Sequence, residues 1–231
     1  MSSLPVLLFS TALVGGLLGV ERTAFGQFSL SRPLVASFLF GALTGRPAEG
    51  AMVGIIFELL YIRSIPAGSY VPYHPLYPAL LSVMLLASGV LGDHGWMRIP
   101  AAALLALPAI LPDRLAEIIW RRSNERAIIR SVALCRMGKP GQARTVHMVG
   151  ISRAFLFHAI SITLSGGILY FLSSRVLAAV PGALGYFSVL GIAPFFVGLA
   201  GVSANRLRGF GWIGFVLGLL AGALVGSGVL A

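Results

Sequence analysis

The chain has 231 residues, 57% hydrophobic and 10% charged, with a formal net charge of +10 and a mean hydropathy of +0.92. A soluble domain carries roughly 25% charged residues, so this composition excludes an ordinary water-soluble protein. Apolar runs of about 17 to 25 residues, the length that crosses a bilayer, recur along the chain. The expected fold is an all-α polytopic membrane protein with about 6-7 transmembrane helices plus a re-entrant helical hairpin.

The positive charge does not point to nucleic acid. Eight of the seventeen basic residues (Arg114, Arg121, Arg122, Arg126, Arg130, Arg136, Lys139 and Arg144) lie in one segment between hydrophobic runs. That is the pattern of a loop held on the cytoplasmic side, and no aromatic-rich RNA or DNA module accompanies it. Cys135 is the only cysteine, so there is no intramolecular disulfide and no thiol-based metal site.

In chain order, a first helix is expected over Leu4 to Val20. No Lys or Arg precedes Leu4, and the run ends in Glu21-Arg22 without an A-x-A site, so it reads as a retained helix and not a cleaved signal. The polar and aromatic link ERTAFGQFSLSR follows. Next comes SRPLVASFLFGALTGRPAEGAMVGIIFELL, Ser31 to Leu60.

This stretch is too long for one crossing and too short for two. Pro33 to Tyr61 is 29 residues, whereas two full spans need about 40. Pro47 disfavours helix at Arg46 and suits the first turn of a new helix, so the expected break is at Arg46-Pro47. Gly41 and Gly45 on one arm, with Gly50 and Gly54 on the other, allow close packing. A re-entrant hairpin over about 33-61 is the simplest geometry, because broken backbone at depth needs protein or a water-filled cavity around it. A two-span hairpin with one tilted or extended helix stays open. Glu58 near the end is either ion-paired with Arg32 or Arg63 for structure, or faces a cavity and accepts hydrogen bonds from sugar hydroxyls.

A Pro-rich segment, SIPAGSYVPYHPLYP, precedes apolar runs at about 76-91 and 99-112. The segment 113-147 then places apolar residues among charges at mostly helical spacing, with Asp113 after Pro112 as the expected N-cap. It reads as an amphipathic helix on the headgroups, as a docking face for a cytosolic partner, or as both. Apolar runs at about 149-173, 176-202 and 209-230 complete the chain, the last carrying a ridge of Gly214, Gly218, Gly222 and Gly226 suited to packing. The organisation is thus an N-terminal membrane half (1-112), a cytoplasmic basic segment (113-147) and a C-terminal membrane half (148-231).

AFGQFSLSRPLVASFLFGALTG, EGAMVGIIFELLYI and IPAGSYVP together resemble the membrane subunit IIC of the mannose/fructose/sorbose family of the bacterial phosphotransferase system. That family has an F-Q-x-x-x-S/H-R-P-L-V stretch, a G-x-x-x-G-D turn, an arm ending in G-x-x-x-E-L-L and a G-x-x-x-P-P-D segment. Phe25, Gln27, Arg32, Pro33, Leu34, Val35, Gly45, Gly54, Glu58, Leu59, Gly68 and Pro72 match. The resemblance covers about residues 20 to 80; beyond them it rests on length, hydropathy and the basic mid-chain loop.

The resemblance implies a mannose-family IIC-like subunit of the bacterial inner (plasma) membrane. It would work with a homologous membrane subunit IID and cytosolic IIA and IIB phosphocarriers, as part of a homo- or hetero-oligomer. A hexose would enter and be phosphorylated by IIB, with IIC a transport subunit carrying no phosphorylated residue and needing no cofactor. Two family acids are missing: Gly-Asp is Gly45-Arg46 here, and P-P-D is replaced by Pro72-Tyr73-His74. The substrate-binding candidates are Gln27, Arg32, Glu58 and His74. Besides the ion pair already named for Glu58, two of them have a structural reading: Arg32 snorkelling to headgroups and His74 as an interfacial histidine.

Tyr70, Tyr73 and Tyr77 form either a stacking wall for a sugar or an interfacial belt. Asp93-His94 reads as a solvated turn, and His147 and His158 stand apart from other metal-ligand types. No nucleophile-base pair, P-loop or dinucleotide fingerprint is present. The alternatives are a diverged non-transporting regulatory or assembly subunit, motivated by the lost acids, and a small unrelated transporter.

Overall fold

The computed structural model describes residues 3-61, 73-92, 95-180, 182 and 184-190. Seven α-helices are defined among them: α1 (Leu4–Thr23), α2 (Pro33–Leu43), α3 (Pro47–Tyr61), α4 (Leu76–Ser88), α5 (Arg98–Ala106), α6 (Ile110–Arg136) and α7 (Pro140–Ala179). Arg63, Gly68, Tyr70 and Pro72, the Asp93-His94 turn and the glycine ridge from Gly214 lie outside the described residues.

Helix α4 is the hub. Every residue from Leu76 to Ala87 is buried, as expected of a helix that is apolar all round. It touches α1, α2, α3, α5, α6 and α7. Around it, α1 and α7 pair through small residues: a Cβ at Gly15 would meet Ile162 at 2.7 Å, and one at Gly16 would meet Phe155 at 2.7 Å. Small residues let two backbones approach where lipid supplies no hydrophobic drive.

Helices α2 and α3 form the expected hairpin, of 11 and 15 residues. At 1.5 Å per residue the arms are roughly 16 and 22 Å long, short of a hydrocarbon core of about 30 Å. The turn is a Schellman motif: Arg46 N–H donates to Gly41 O at 2.6 Å and Gly45 N–H to Ala42 O at 3.3 Å, with Gly45 at φ +77°. Gly45 therefore serves the turn and not the packing expected of it. The close approach comes from Gly41, Gly50 and Gly54. A Cβ on Gly54 would lie 2.6 Å from Leu34 Cα, and one on Gly50 would collide with the Ser37 carbonyl.

Two other expectations change. The run at 99-112 is not one helix: α5 ends at Ala106, a 3-10 turn covers Leu107–Ala109, and α6 starts at Ile110. Asp113 is accordingly not an N-cap. Pro112 sits in the first turn of α6, where a missing N–H costs little. The basic segment also divides, at Met137 to Lys139, by a second Schellman turn: Lys139 N–H donates to Leu134 O at 2.9 Å and Gly138 N–H to Cys135 O at 3.0 Å. Pro140 then opens α7.

Two described helices, α1 and α7, are long and apolar enough to cross a membrane. Their outer faces expose Phe9, Leu13 and Leu17 on α1, and Leu164, Ile168 and Phe171 on α7. Contiguous apolar surface of this kind marks contact with lipid or a membrane partner.

Candidate functional site

The link between α1 and α2 is held in an uncommon shape by Glu21. Gln27 and Ser29 have φ of 51° and 65°, a left-handed conformation that side-chain-bearing residues adopt at a cost. The buried Glu21 carboxylate accepts Ser31 N–H at 3.0 Å and Leu30 N–H at 3.3 Å. Its backbone carbonyl accepts Gln27 N–H at 3.2 Å. One acidic residue thus folds the link back over the end of α1.

Beyond the link, the open ends of the hairpin meet. Arg32 donates from Nε to Glu58 Oε1 at 2.8 Å and makes a second, shorter contact through Nη2. Glu58 Oε2 also accepts Leu34 N–H at 3.3 Å, so the carboxylate satisfies a free donor in the first turn of α2. The Arg32 side chain is 58% exposed and that of Glu58 16%. The ion pair foreseen as one reading of Glu58 is therefore present, with Arg32 as partner.

The same geometry opens a cleft. Gln27, Arg32, Glu58 and His74 all line one cavity of about 460 Å³, together with Glu21, Arg22, Tyr73 and Glu117. Tyr73 lies under the Arg114 guanidinium, 4.2 Å from its ring centre. Tyr77 does not join it. Its side chain is fully buried, and its hydroxyl donates to the His158 carbonyl at 3.1 Å and lies 3.1 Å from His158 Nδ1. As the hub, α4 turns this tyrosine into the core, so neither a stacking wall nor an interfacial belt includes it.

A buried ionic cluster forms part of the cleft wall. Arg22 contacts Asp113 at 2.9 Å and Glu117 at 3.2 Å. Asp113 Oδ2 accepts Tyr77 N–H at 3.1 Å, and Glu117 pairs with Arg121 at 2.6 Å. Asp113 thus caps α4, across the fold from its own helix. Charges this deep persist only when paired and hydrogen-bonded.

The sequence pattern of the sorbose-specific IIC component of the phosphotransferase system matches residues 6–230. The chain belongs to this family. It is a sugar-translocating IIC membrane subunit. No curated protein matches it in sequence. Solved structures that share its fold include the following two. One, described only as a membrane protein, is 20% identical with a TM-score of 0.69, over 97% of this chain and 91% of that one. The other is the mannose transporter ManYZ in complex with microcin E492 (MceA), 20% identical with a TM-score of 0.63, over 100% of this chain and 93% of that one.

In this IIC subunit the missing acid at position 46 lies away from the cleft. Arg46 is at the hairpin turn, one full arm (roughly 16 Å) from Glu58. It donates to Glu49 at 2.8 Å, and Glu49 also takes Arg98 of α5 at 2.7 Å. The reversed charge is neutralised locally. His74, by contrast, lines the cleft, and its Nδ1 is buried without a partner among the described residues.

The residues that sequence reasoning missed are Glu21, Arg22, Asp113 and Glu117. A signal existed for the first two: a charged pair closing an apolar helix needs either solvent or partners.

Proposed function

We propose that the cleft bounded by Gln27, Arg32, Glu58 and His74 binds the transported sugar. The reading is carried by one observation: these four polar side chains, from three separate segments, line a single cavity at the open end of a hairpin too short to span. Their chemistry suits a polyol. Glu58 accepts hydroxyl protons, Arg32 donates, and Gln27 and His74 can do either. A volume of about 460 Å³ is ample for one hexose.

In this reading the subunit lies in the bacterial inner membrane as a multi-pass protein, with the 113-147 segment on the cytoplasmic side. A IID-like membrane subunit completes the transporter, and cytosolic IIA and IIB supply the phosphoryl group. Phosphorylation on the inner side traps the sugar by adding charge. The chain itself binds and moves substrate and performs no covalent step.

The test is sugar uptake by membranes containing the partner subunits, with Glu58→Gln in place of the native chain. Loss of a hydrogen bond to a charged group predicts uptake affinity lowered by about tenfold or more. Uptake of normal affinity and rate removes Glu58 from the site and overturns the reading.

A further inference from the structure

A second concave surface lies outside the cleft, between α6 and α7. Arg122, Arg126 and Arg130 of α6 and Arg153 of α7 line a groove of about 760 Å³ between the two helices, together with the side-chain amides of Asn124 and Gln142. The three α6 arginines follow i, i+4, i+8 spacing, which puts them on one ridge roughly 12 Å long. All four are exposed. None of the four makes an ion pair or hydrogen bond among the described residues, whereas Arg121 beside them is taken by Glu117.

Helix stability does not explain this ridge. Like charges at i, i+4 oppose the helix, and a topology signal needs basic residues in the loop but no shared groove. The surroundings suit an oxyanion. Guanidinium groups offer paired donors that match phosphate oxygens two at a time, and the neutral amides add further donors. Trp120, Leu134 and Val149 also line the groove. Helix α7, which forms one wall of the groove, is longer than the hydrocarbon is thick. Helix α7 has 40 residues, about 60 Å of helix against a core of about 30 Å.

We propose that this groove is a phosphate-binding site. Its ligand is a phosphate oxyanion, delivered either as the headgroup of an anionic phospholipid or as a soluble phosphate. The site is independent of the sugar cleft, although the two adjoin on α6: Arg121 lines one and Trp120 and Arg122 the other.

The experiment uses the full chain in nanodiscs. In phosphatidylcholine alone, inorganic phosphate is titrated while tryptophan fluorescence is read, Trp120 being a wall of the groove. In mixed phosphatidylcholine and phosphatidylglycerol, lipid retained through purification is measured by native mass spectrometry. Each arm is repeated with Arg126→Gln/Arg130→Gln and with Arg126→Lys/Arg130→Lys; both side chains are exposed and both replacements are good helix formers. A soluble source predicts saturable phosphate binding weakened about tenfold or more by the Gln pair and severalfold by the Lys pair. A lipid source predicts selective phosphatidylglycerol retention, lost in the Gln pair and reduced in the Lys pair. Absence of binding in both arms, or Lys and native chains that bind alike, overturns the built site and leaves only diffuse charge.

Discussion

Arg22, near the end of α1, and Asp113, in the first turn of α6, meet at 2.9 Å with Asp113 wholly buried. They are 91 residues apart in the chain. Asp113 also accepts the Tyr77 backbone N–H, so one carboxylate joins α1, α4 and α6. Removing Asp113 leaves the buried Arg22 with Glu117 alone, at 3.2 Å, and strips the Tyr77 N–H of its acceptor, a loss bounded above by about 3 to 5 kcal/mol, the cost of breaking an isolated buried pair. Asp113→Ala is therefore expected to lower the thermal unfolding temperature of the detergent-solubilised subunit by several degrees. Asp113→Asn, which keeps the shape and one acceptor, should fall between. A native melting temperature in Asp113→Ala would show that the cluster contributes nothing to the helix arrangement.

Glu58 has two roles that mutation can separate: it pairs with Arg32 and it faces the cleft. If the pair serves structure only, neutralising both partners should restore what neutralising one removes, since an exposed ion pair contributes only about 0 to 1 kcal/mol. The expected result is the opposite. Arg32→Gln/Glu58→Gln should remain as impaired in sugar uptake as Glu58→Gln alone, while both proteins assemble and melt like the native one. Recovery of uptake in the double variant would assign Glu58 to structure.

The hairpin makes a sharper steric prediction. A Cβ at position 50 collides with the Ser37 carbonyl and comes 3.1 Å from Gly41 Cα, backbone atoms that cannot swing aside. Gly50→Ala should cost about 1 to 3 kcal/mol. At Gly45 there is open space, nothing lying within 4 Å of an added Cβ. There only the left-handed φ matters, about 1 to 2 kcal/mol for alanine and less for asparagine, which tolerates that region. Unfolding temperatures should therefore rank native, Gly45→Asn, Gly45→Ala and Gly50→Ala in descending order. If Gly50→Ala were the mildest, the two arms would not be packed backbone to backbone.

How much of this was legible before folding depended on sequence distance. The hairpin was readable because its signals are local: the short distance from Pro33 to Tyr61 and the helix-starting Pro47 after Arg46 mark the break, although Gly45 was read as a packing residue and not as the left-handed helix end it is. Gly138-Lys139-Pro140 carries the same signal and builds the same turn, yet the surrounding basic charge drew it into a single segment. Gln27 and Arg32 share the link before α2, Arg32 meets Glu58 across the open end of the hairpin, and His74, two residues before α4, lines the same cavity. The Arg22–Asp113 pairing was illegible, since neither local stretch names its partner. Tyr77 was misjudged for a related reason. Nothing in LYPALLSVMLLAS distinguishes an outer apolar helix from one surrounded by six others, and only the second buries a tyrosine hydroxyl against a histidine.

Glu21 offers the test of how the cleft is held ready. Two residues of the link, Gln27 and Ser29, sit at positive φ, a cost of order 1 to 3 kcal/mol each that the surroundings must offset. Glu21 is what offsets it, taking the Leu30 and Ser31 N–H groups on its carboxylate. Without that carboxylate the link is expected to relax and Gln27 to leave the cleft, so sugar must reorder it on binding and affinity falls by the fraction of time the link is competent. Glu21→Ala should raise the KM for uptake severalfold or more with little change in maximal rate. Glu21→Gln, which keeps one acceptor for the two N–H groups, should show a smaller rise. Replacing Ser29 by glycine in the Glu21→Ala background, which removes the local strain, should recover part of the affinity. An unchanged KM in Glu21→Ala, with the protein correctly assembled, would detach the link from sugar recognition.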